Sequence, residues 1–287
     1  MVRAPKRERA GRTLRRHPRT KGRLQFSKPF AKARRKTSLR ALAKLTERVE
    51  GESRFRSAPP LLVPLRELRQ ESDARTENTF IYELLEQYAA GLTPDRRHLF
   101  ASYRFVDMAR KVVGVGSVGT RAWVLLFVDR ASRTPLILQA KEAQSSVLEP
   151  YLGASEFASH GERVVRGQRI SIVASDIFLS WQRTRGLDGA EHDYYVRQLW
   201  DWKASADPTA MTAAGLTAYT RACGWSLARM HARSGDRLAI AAYLGSGPSF
   251  DDALARFSCA YADQNERDHD RLARAVEDGV VRAEFGV

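Results

Sequence analysis

The chain has 287 residues, 43% of them hydrophobic, and a formal charge of +15. That length fits one large domain or two small ones, and the apolar fraction is ordinary for a globular protein with a sizeable core. The charge sits at one end. Residues 1–40 hold 16 Lys and Arg against Glu8 alone, and the other 247 residues hold 32 basic and 32 acidic groups, so any electrostatic pull on nucleic acid or an anionic membrane belongs to the N-terminal segment.

Residues 1–35 form a basic tail in which Leu14, Leu24, Phe26 and Phe30 are scattered without period among arginines and lysines. Such a segment is expected to be disordered in isolation, with order beginning near residue 36. Three readings stay open for it: an inert solvated extension, an arm that binds nucleic-acid phosphates, or a misplaced translation start in a GC-rich frame. It lacks the apolar core of a secretory signal, and no later segment approaches the ~20 apolar residues of a membrane span. Cys223 and Cys259 are far apart and lack ligand-type neighbours, which argues against a disulfide framework or a zinc site. A cytoplasmic location is the simplest expectation.

Thr37 or Ser38 caps a helix with Leu39, Leu42, Leu45 and Val49 on one stripe, ending at Gly51. Pro59, Pro60 and Pro64 make the next segment an extended strap. A second helix is expected over Asn78 to Ala90, with Phe80, Ile81, Leu84, Leu85 and Tyr88 on one side, and Thr93-Pro94 starts a short third. Tyr103 to Val113 reads as a strand. Ser145 to Gly153 is ambiguous, and Phe157 to Ala174 reads as a helix with Val164, Val165, Ile170 and Val173 inward. Tyr194 to Trp200 is the last strand of a small sheet. Met211 to His231 is a helix burying Leu216, Tyr219, Cys223, Leu227 and Met230. A capping box of Ser249 and Asp252 opens a final helix from Phe250 to about Val276, with a break near Asn265. Trp123, Trp181, Trp200, Trp202 and Trp225 are expected in the core.

The chemistry concentrates between Lys111 and Lys141. Gly114, Gly116 and Gly119 form a Gly-x-Gly-x-x-Gly run, followed by Ala122 to Val128, which is rich in strand formers rather than helix formers. The run therefore reads as a hairpin tip. Glycines without Cβ atoms let backbone N–H groups approach phosphate oxygens, and Ser117 and Thr120 add hydroxyl donors. The same glycines also serve turn geometry with no ligand. A third strand, Leu136 to Ala140, ends in Lys141, which gives the order of glycine loop, strand, strand and lysine found in protein kinases. In that arrangement an acid on the next helix pairs with the lysine. Glu156 and Glu162 are the nearby carboxylates, while mid-helix offers Arg166 and Gln168. Arg121 either contacts phosphate or faces water.

His231 to Asp236, HARSGD, resembles a kinase catalytic loop, but the following magnesium-binding asparagine is missing, since Asn78 and Asn265 are the only asparagines. Asp236 is a candidate base whose alternative is helix capping. No nucleophile motif occurs, and His269 between Asp268 and Asp270 cannot aim all three side chains at one metal from a helix. No metal site is expected.

The blocks DMARKVVGVGSVGTR, LQAKEA, GERVVRGQR, DYYVRQLWDWKAS, CGWSLARMHARSGD and FDDALARFSCAYADQ resemble a bacterial family known as domain of unknown function 2252, over roughly residues 36 to 270. The resemblance implies an α+β fold like that of protein kinases and aminoglycoside phosphotransferases. It also implies one family domain over 36–287, with a nucleotide lobe at 103–203 and a helical part at 204–287. It further implies ATP with magnesium, bound through Gly114, Gly116, Ser117, Gly119, Thr120 and Lys141. Family members carry a Gly-Asp-x-His-x-x-Asn and an Asn-Asp-Phe-Asp segment before the glycine loop. Neither is found here ahead of Gly114, so the chain reads as the C-terminal portion of a longer protein without independent phosphotransfer. Arg166 stands where similar sequences commonly have an acid. The alternatives are a non-enzymatic protein that holds nucleic acid through residues 1–35, or a truncated product without function.

Overall fold

The computed structural model describes residues 38–68, 74–112, 119–172, 175–186, 188–199 and 206–283. The expected tail of residues 1–35, with Gly114, Gly116, Ser117, Trp200 and Trp202, lies outside them. The side chains of 74–80, Phe80 among them, do as well. The fold is α+β. Two compact units divide the chain between Ser226 and Leu227.

The first unit is built on a six-stranded antiparallel sheet made of β3 (Leu62–Pro64), β4 (Tyr103–Lys111), β5 (Ala122–Asp129), β6 (Pro135–Glu142), β7 (Ser180–Arg185) and β8 (Glu191–Gln198). Their order across the sheet is β3-β4-β5-β6-β8-β7. Alternation sends Trp123, Leu125, Phe127, Leu138, Tyr194 and Val196 to one core, the Trp123 face. Val124, Leu126, Ile137, Ala109 and Leu199 go to the other, the Val124 face. Helices α2 (Ala74–Ala90) and α3 (Pro94–Ala101) supply Ile81, Tyr88 and Phe100 to the Trp123 core. Thr93 precedes α3 in extended geometry with Pro94 in its first turn, as expected. The last three residues of the three-proline strap become β3, an edge strand, where the missing N–H of Pro64 is tolerated.

Four expectations need correction. The first helix, α1 (Ser38–Leu45), stops six residues short of Gly51, and β1 (Thr46–Val49) pairs with β2 (Glu52–Phe55). Glu50 at φ 49° and Gly51 at φ 80° form a two-residue turn with both central residues in the left-handed region, which the twist of a hairpin favours. Leu39 is 65% exposed, while Ala41 and Leu45 are buried. Second, β8 is the last strand in chain order, as expected, but it begins at Glu191 and an unexpected strand, Ser180–Arg185, flanks it as the edge of the sheet. The sequence SWQRTR has too little apolar content to announce a strand. Third, α5 (His160–Ser171) buries only Gly161 and Val165. Fourth, the stripe of α6 (Ala213–Ser234) is not buried, with Leu216 and Leu227 exposed.

A short helix α4 (Glu149–Leu152) occupies the ambiguous stretch after β6. In the second unit, α7 (Arg237–Leu244) is followed by α8 (Ser249–Glu277), which runs unbroken past Asn265. Its N-cap position is Pro248, with no side-chain cap bond, so the expected Ser249–Asp252 box is not formed. Neither helix buries a side chain among the described residues. Of the described tryptophans, Trp123 is in the core and Trp225 is 47% exposed.

A bulge in β4 between Phe105 and Asp107 puts Val106 and Asp107 on the same face. The buried Asp107 carboxylate then accepts from the Phe55 N–H at 2.7 Å and from Arg66 Nη1 at 3.3 Å. This docks the β1–β2 hairpin on the sheet. Asp107→Ala leaves a buried N–H unpaired and is expected to destabilise the protein by about 1–3 kcal/mol in urea unfolding. An unchanged midpoint would show that the hairpin is not held this way.

Candidate functional site

Lys141 is the penultimate residue of β6, next to the β5 strand of the glycine hairpin. It opposes Ala122 on β5 and Tyr195 on β8, and Tyr195 opposes Trp181 on β7. Directly opposed residues share a face, so Ala122, Lys141, Tyr195 and Trp181 make one row across the Val124 face. Gln139 and Arg197 form the next row. At the end of β4, Lys111 lies two residues beyond Ala109 and thus on the same face.

Helix α5 lies over the β7–β8 end of this face. Ser159 caps it, its side chain accepting from the Glu162 N–H at 3.4 Å, while the His160 N–H donates to Asp193 at 2.8 Å. A Cβ at Gly161 would collide with the Tyr194 carbonyl and crowd Trp181, so glycine permits the close approach. Arg166 and Arg169 stand 5.6 Å and 5.8 Å from the centre of the Trp181 ring.

The electrostatics of the two rows are one-sided. Among the described residues Lys141 has neither an ion pair nor a side-chain hydrogen bond. Burial, and secondly the charge of Arg197, hold its ammonium below the ordinary lysine value. Lys111 is lowered in the same way, by burial first and then by Lys44, and among the described residues its ammonium donates to the Val112 carbonyl at 3.1 Å. Arg197 places its guanidinium 5.9 Å from the Tyr195 ring, and its Nε is buried without a partner. Cations packed near one another without carboxylates favour an anion between them.

Of the two carboxylates near Lys141 in sequence, Glu162 is engaged elsewhere. Glu162 accepts from Arg166 Nη2 at 3.1 Å, an i,i+4 pair on the helix surface. Arg121, 39% exposed along its side chain, is likewise tied to carboxylates. It pairs with Glu142 at 3.1 Å and with Asp188, on the Trp123 face. Glu142 also meets His192 Nδ1 at 3.2 Å, and His192 Nε2 lies 3.0 Å from Asp188. Gly119 has φ 79° with open space about it, and Thr120 is half-buried. Asp236 accepts from the Leu238 and Ala239 N–H groups at 2.9 Å and 3.1 Å as the N-cap of α7.

Lys111, Tyr195 and Arg197 were missed as site residues. In DYYVRQ the buried Tyr194 and Val196 alternate with Tyr195 and Arg197, so the period of two already assigns the arginine to the other face. What the sequence lacked was the β6–β8 register that sets Arg197 beside Lys141.

The model of a family described as an uncharacterized protein conserved in bacteria (DUF2252) matches residues 4–275. The chain belongs to this family. No curated protein and no solved structure matches it. The match begins at residue 4 rather than near Arg35, so the basic segment falls inside the DUF2252 span. Among the described residues no helix is long and apolar enough to cross a membrane.

In this DUF2252 chain the hydrogen bond with His192 is the main cause that lowers Asp188 to about 2. A carboxyl depressed in the folded state contributes stability above its unfolded value, near 3.9, and loses it as pH falls through the folded one. Wild type should therefore lose more stability than Asp188→Asn between pH 5 and pH 2, read as the shift in urea midpoint. Parallel losses would show that the pair contributes nothing.

Proposed function

We propose that the sheet is the phosphate-cradling lobe of a kinase-like fold, and that it binds a nucleoside triphosphate with its magnesium. The contacts would come from the glycine hairpin, including Gly114, Gly116, Ser117, Gly119 and Thr120, and from Lys141. The single observation that supports this most is the position of Lys141. It sits on β6 opposite Ala122 of the hairpin's exit strand, half-buried, with no carboxylate partner among the described residues, and in a face shared with Lys111 and Arg197. The chain order agrees: hairpin, β6 ending in the lysine, α5, then β7 and β8 with β8 returning beside β6.

Arg197 adds a second cation in place of the helix-borne acid. A lysine flanked by an acid is held for a phosphate by a neutral pair, whereas Lys141 beside Arg197 presents two positive charges. The polyphosphate supplies the missing negative charge. Among the described residues no three His, Cys, Asp or Glu side chains come together to hold a metal, so magnesium would arrive on the phosphates. The reading accordingly stops at binding, without independent phosphotransfer.

Calorimetry with Mg-ATP is expected to show weak binding by the folded chain. A hydrogen bond to a charged group contributes about 1.5–3 kcal/mol, so Lys141→Ala should weaken binding by roughly ten- to a hundredfold. Absence of any heat change with folded wild type would remove the proposal. Because the protonated ammonium holds the anion and Lys141 starts below the ordinary value, affinity should fall as pH rises through that lowered pKa. Lys141→Arg, charged throughout, should flatten the fall. An identical pH profile in both proteins would exclude Lys141 as the contact.

A further inference from the structure

A cavity of about 290 Å³ lies on the Trp123 face, opposite the lysine row, walled by Leu84 and Leu85 of α2 and by Trp123, Leu125, Phe127 and Leu138 of the sheet. A close-packed interior rarely leaves such a space. A dry apolar cavity of roughly 150 Å³ already takes up benzene, so this one has room for a medium-length alkyl chain.

The cavity has a direction. Along the β4–β5 ladder Arg110 opposes Trp123 and Met108 opposes Leu125, and Phe127 lies one pleat further along β5. Directly opposed residues share a face, which puts Arg110 on the cavity side of the sheet, and it is among the residues that line the cavity. Arg110 is exposed, whereas Trp123, Leu125 and Phe127 are buried. The step from Trp123 to Phe127 covers about 13 Å of strand. One end of the cavity thus meets solvent at a cation, and the other is apolar.

Charge at the open end selects the head group. Arg121 also lines the cavity, but Glu142 and Asp188 hold its guanidinium. His192 lies against the same two carboxylates, so even with a protonated imidazole this cluster carries no surplus positive charge. Arg110 makes neither an ion pair nor a side-chain hydrogen bond among the described residues. A single negative charge suits it better than two, because Asp188 stands at the same rim. The planar guanidinium also matches a carboxylate with two parallel hydrogen bonds.

We propose that this cavity binds a medium-length aliphatic monocarboxylate, with its chain along Leu125, Phe127 and Leu138 and its carboxylate on Arg110. Apolar walls with one charged group that fixes orientation are the usual make-up of a small-molecule site. The site is independent of the nucleotide reading, since it uses the opposite face of the sheet and none of Lys141, Lys111 or Arg197.

Octanoate and octan-1-ol test this directly, because they share the chain and differ in the head. Binding of each to the full chain is followed by calorimetry. Wild type should bind octanoate roughly tenfold more tightly than octan-1-ol, since only octanoate can pair with Arg110. In Arg110→Gln the octanoate affinity should fall to that of the alcohol, with the alcohol's own affinity and the melting temperature unchanged. Leu84→Trp, which fills the cavity from the helix, should abolish binding of both. Lys141→Ala should leave octanoate binding as it is. No saturable binding of octanoate to folded wild type, a preference that survives Arg110→Gln, or binding that survives Leu84→Trp would overturn the proposal. Displacement of octanoate by Mg-ATP would do so too, because it would place the carboxylate on the lysine row.

Discussion

The constraint on which this structure rests is that its central strands are apolar on both sides. Ala122 to Phe127 in β5 and Leu136 to Leu138 in β6 are buried at every position, so neither face of the sheet can meet water. An antiparallel sheet usually solvates one face and shows a polar alternation. Here α2 and α3 cover the Trp123 face, and α1, the β1–β2 hairpin and α5 cover the Val124 face. The bulge at Asp107 serves this layering, because it turns a carboxylate toward the Phe55 N–H that the docked hairpin would otherwise bury unpaired.

Layering on both sides divides the chemistry. Lys141 follows Ile137 by two pleats onto the Val124 face, whereas Arg121 and Glu142 go to the other side. The carboxylates near the glycine hairpin are consequently used up in the Arg121–Glu142–Asp188–His192 cluster. They leave the lysine row cationic. The lysine row and the Arg121–Glu142–Asp188–His192 cluster thus lie on opposite faces of one sheet.

Much of the fold was legible in the sequence. β4, β5, β6 and β8, the hairpin reading of the glycine run and the Thr93-Pro94 helix start all follow from short-range pattern. The failures have physical causes. Leu39, Leu42, Leu45 and Val49 satisfy a helical stripe, yet a left-handed Glu50-Gly51 pair and β-branched flanks favoured a turn. SWQRTR is an edge strand whose buried positions are Ser180 and Gln182, residues that carry no hydrophobic signal. The helical period of α6 is real, but a period reveals a face and not whether anything covers it. Of the site, Lys141 could be found from order alone. Arg197 needed the β6–β8 register, and the cavity, lined by residues from separate elements, has no counterpart in any local pattern.

The most direct test of the central claim is where a nucleotide touches the chain. An acyl-phosphate derivative of ATP transfers its acyl group to lysines beside the bound phosphates, and peptide mapping then identifies them. The account predicts acylation of Lys141, with Lys111 as the second site, both suppressed by excess ATP. Labelling confined to the lysines of residues 1–36, or labelling that ATP does not suppress, would contradict it.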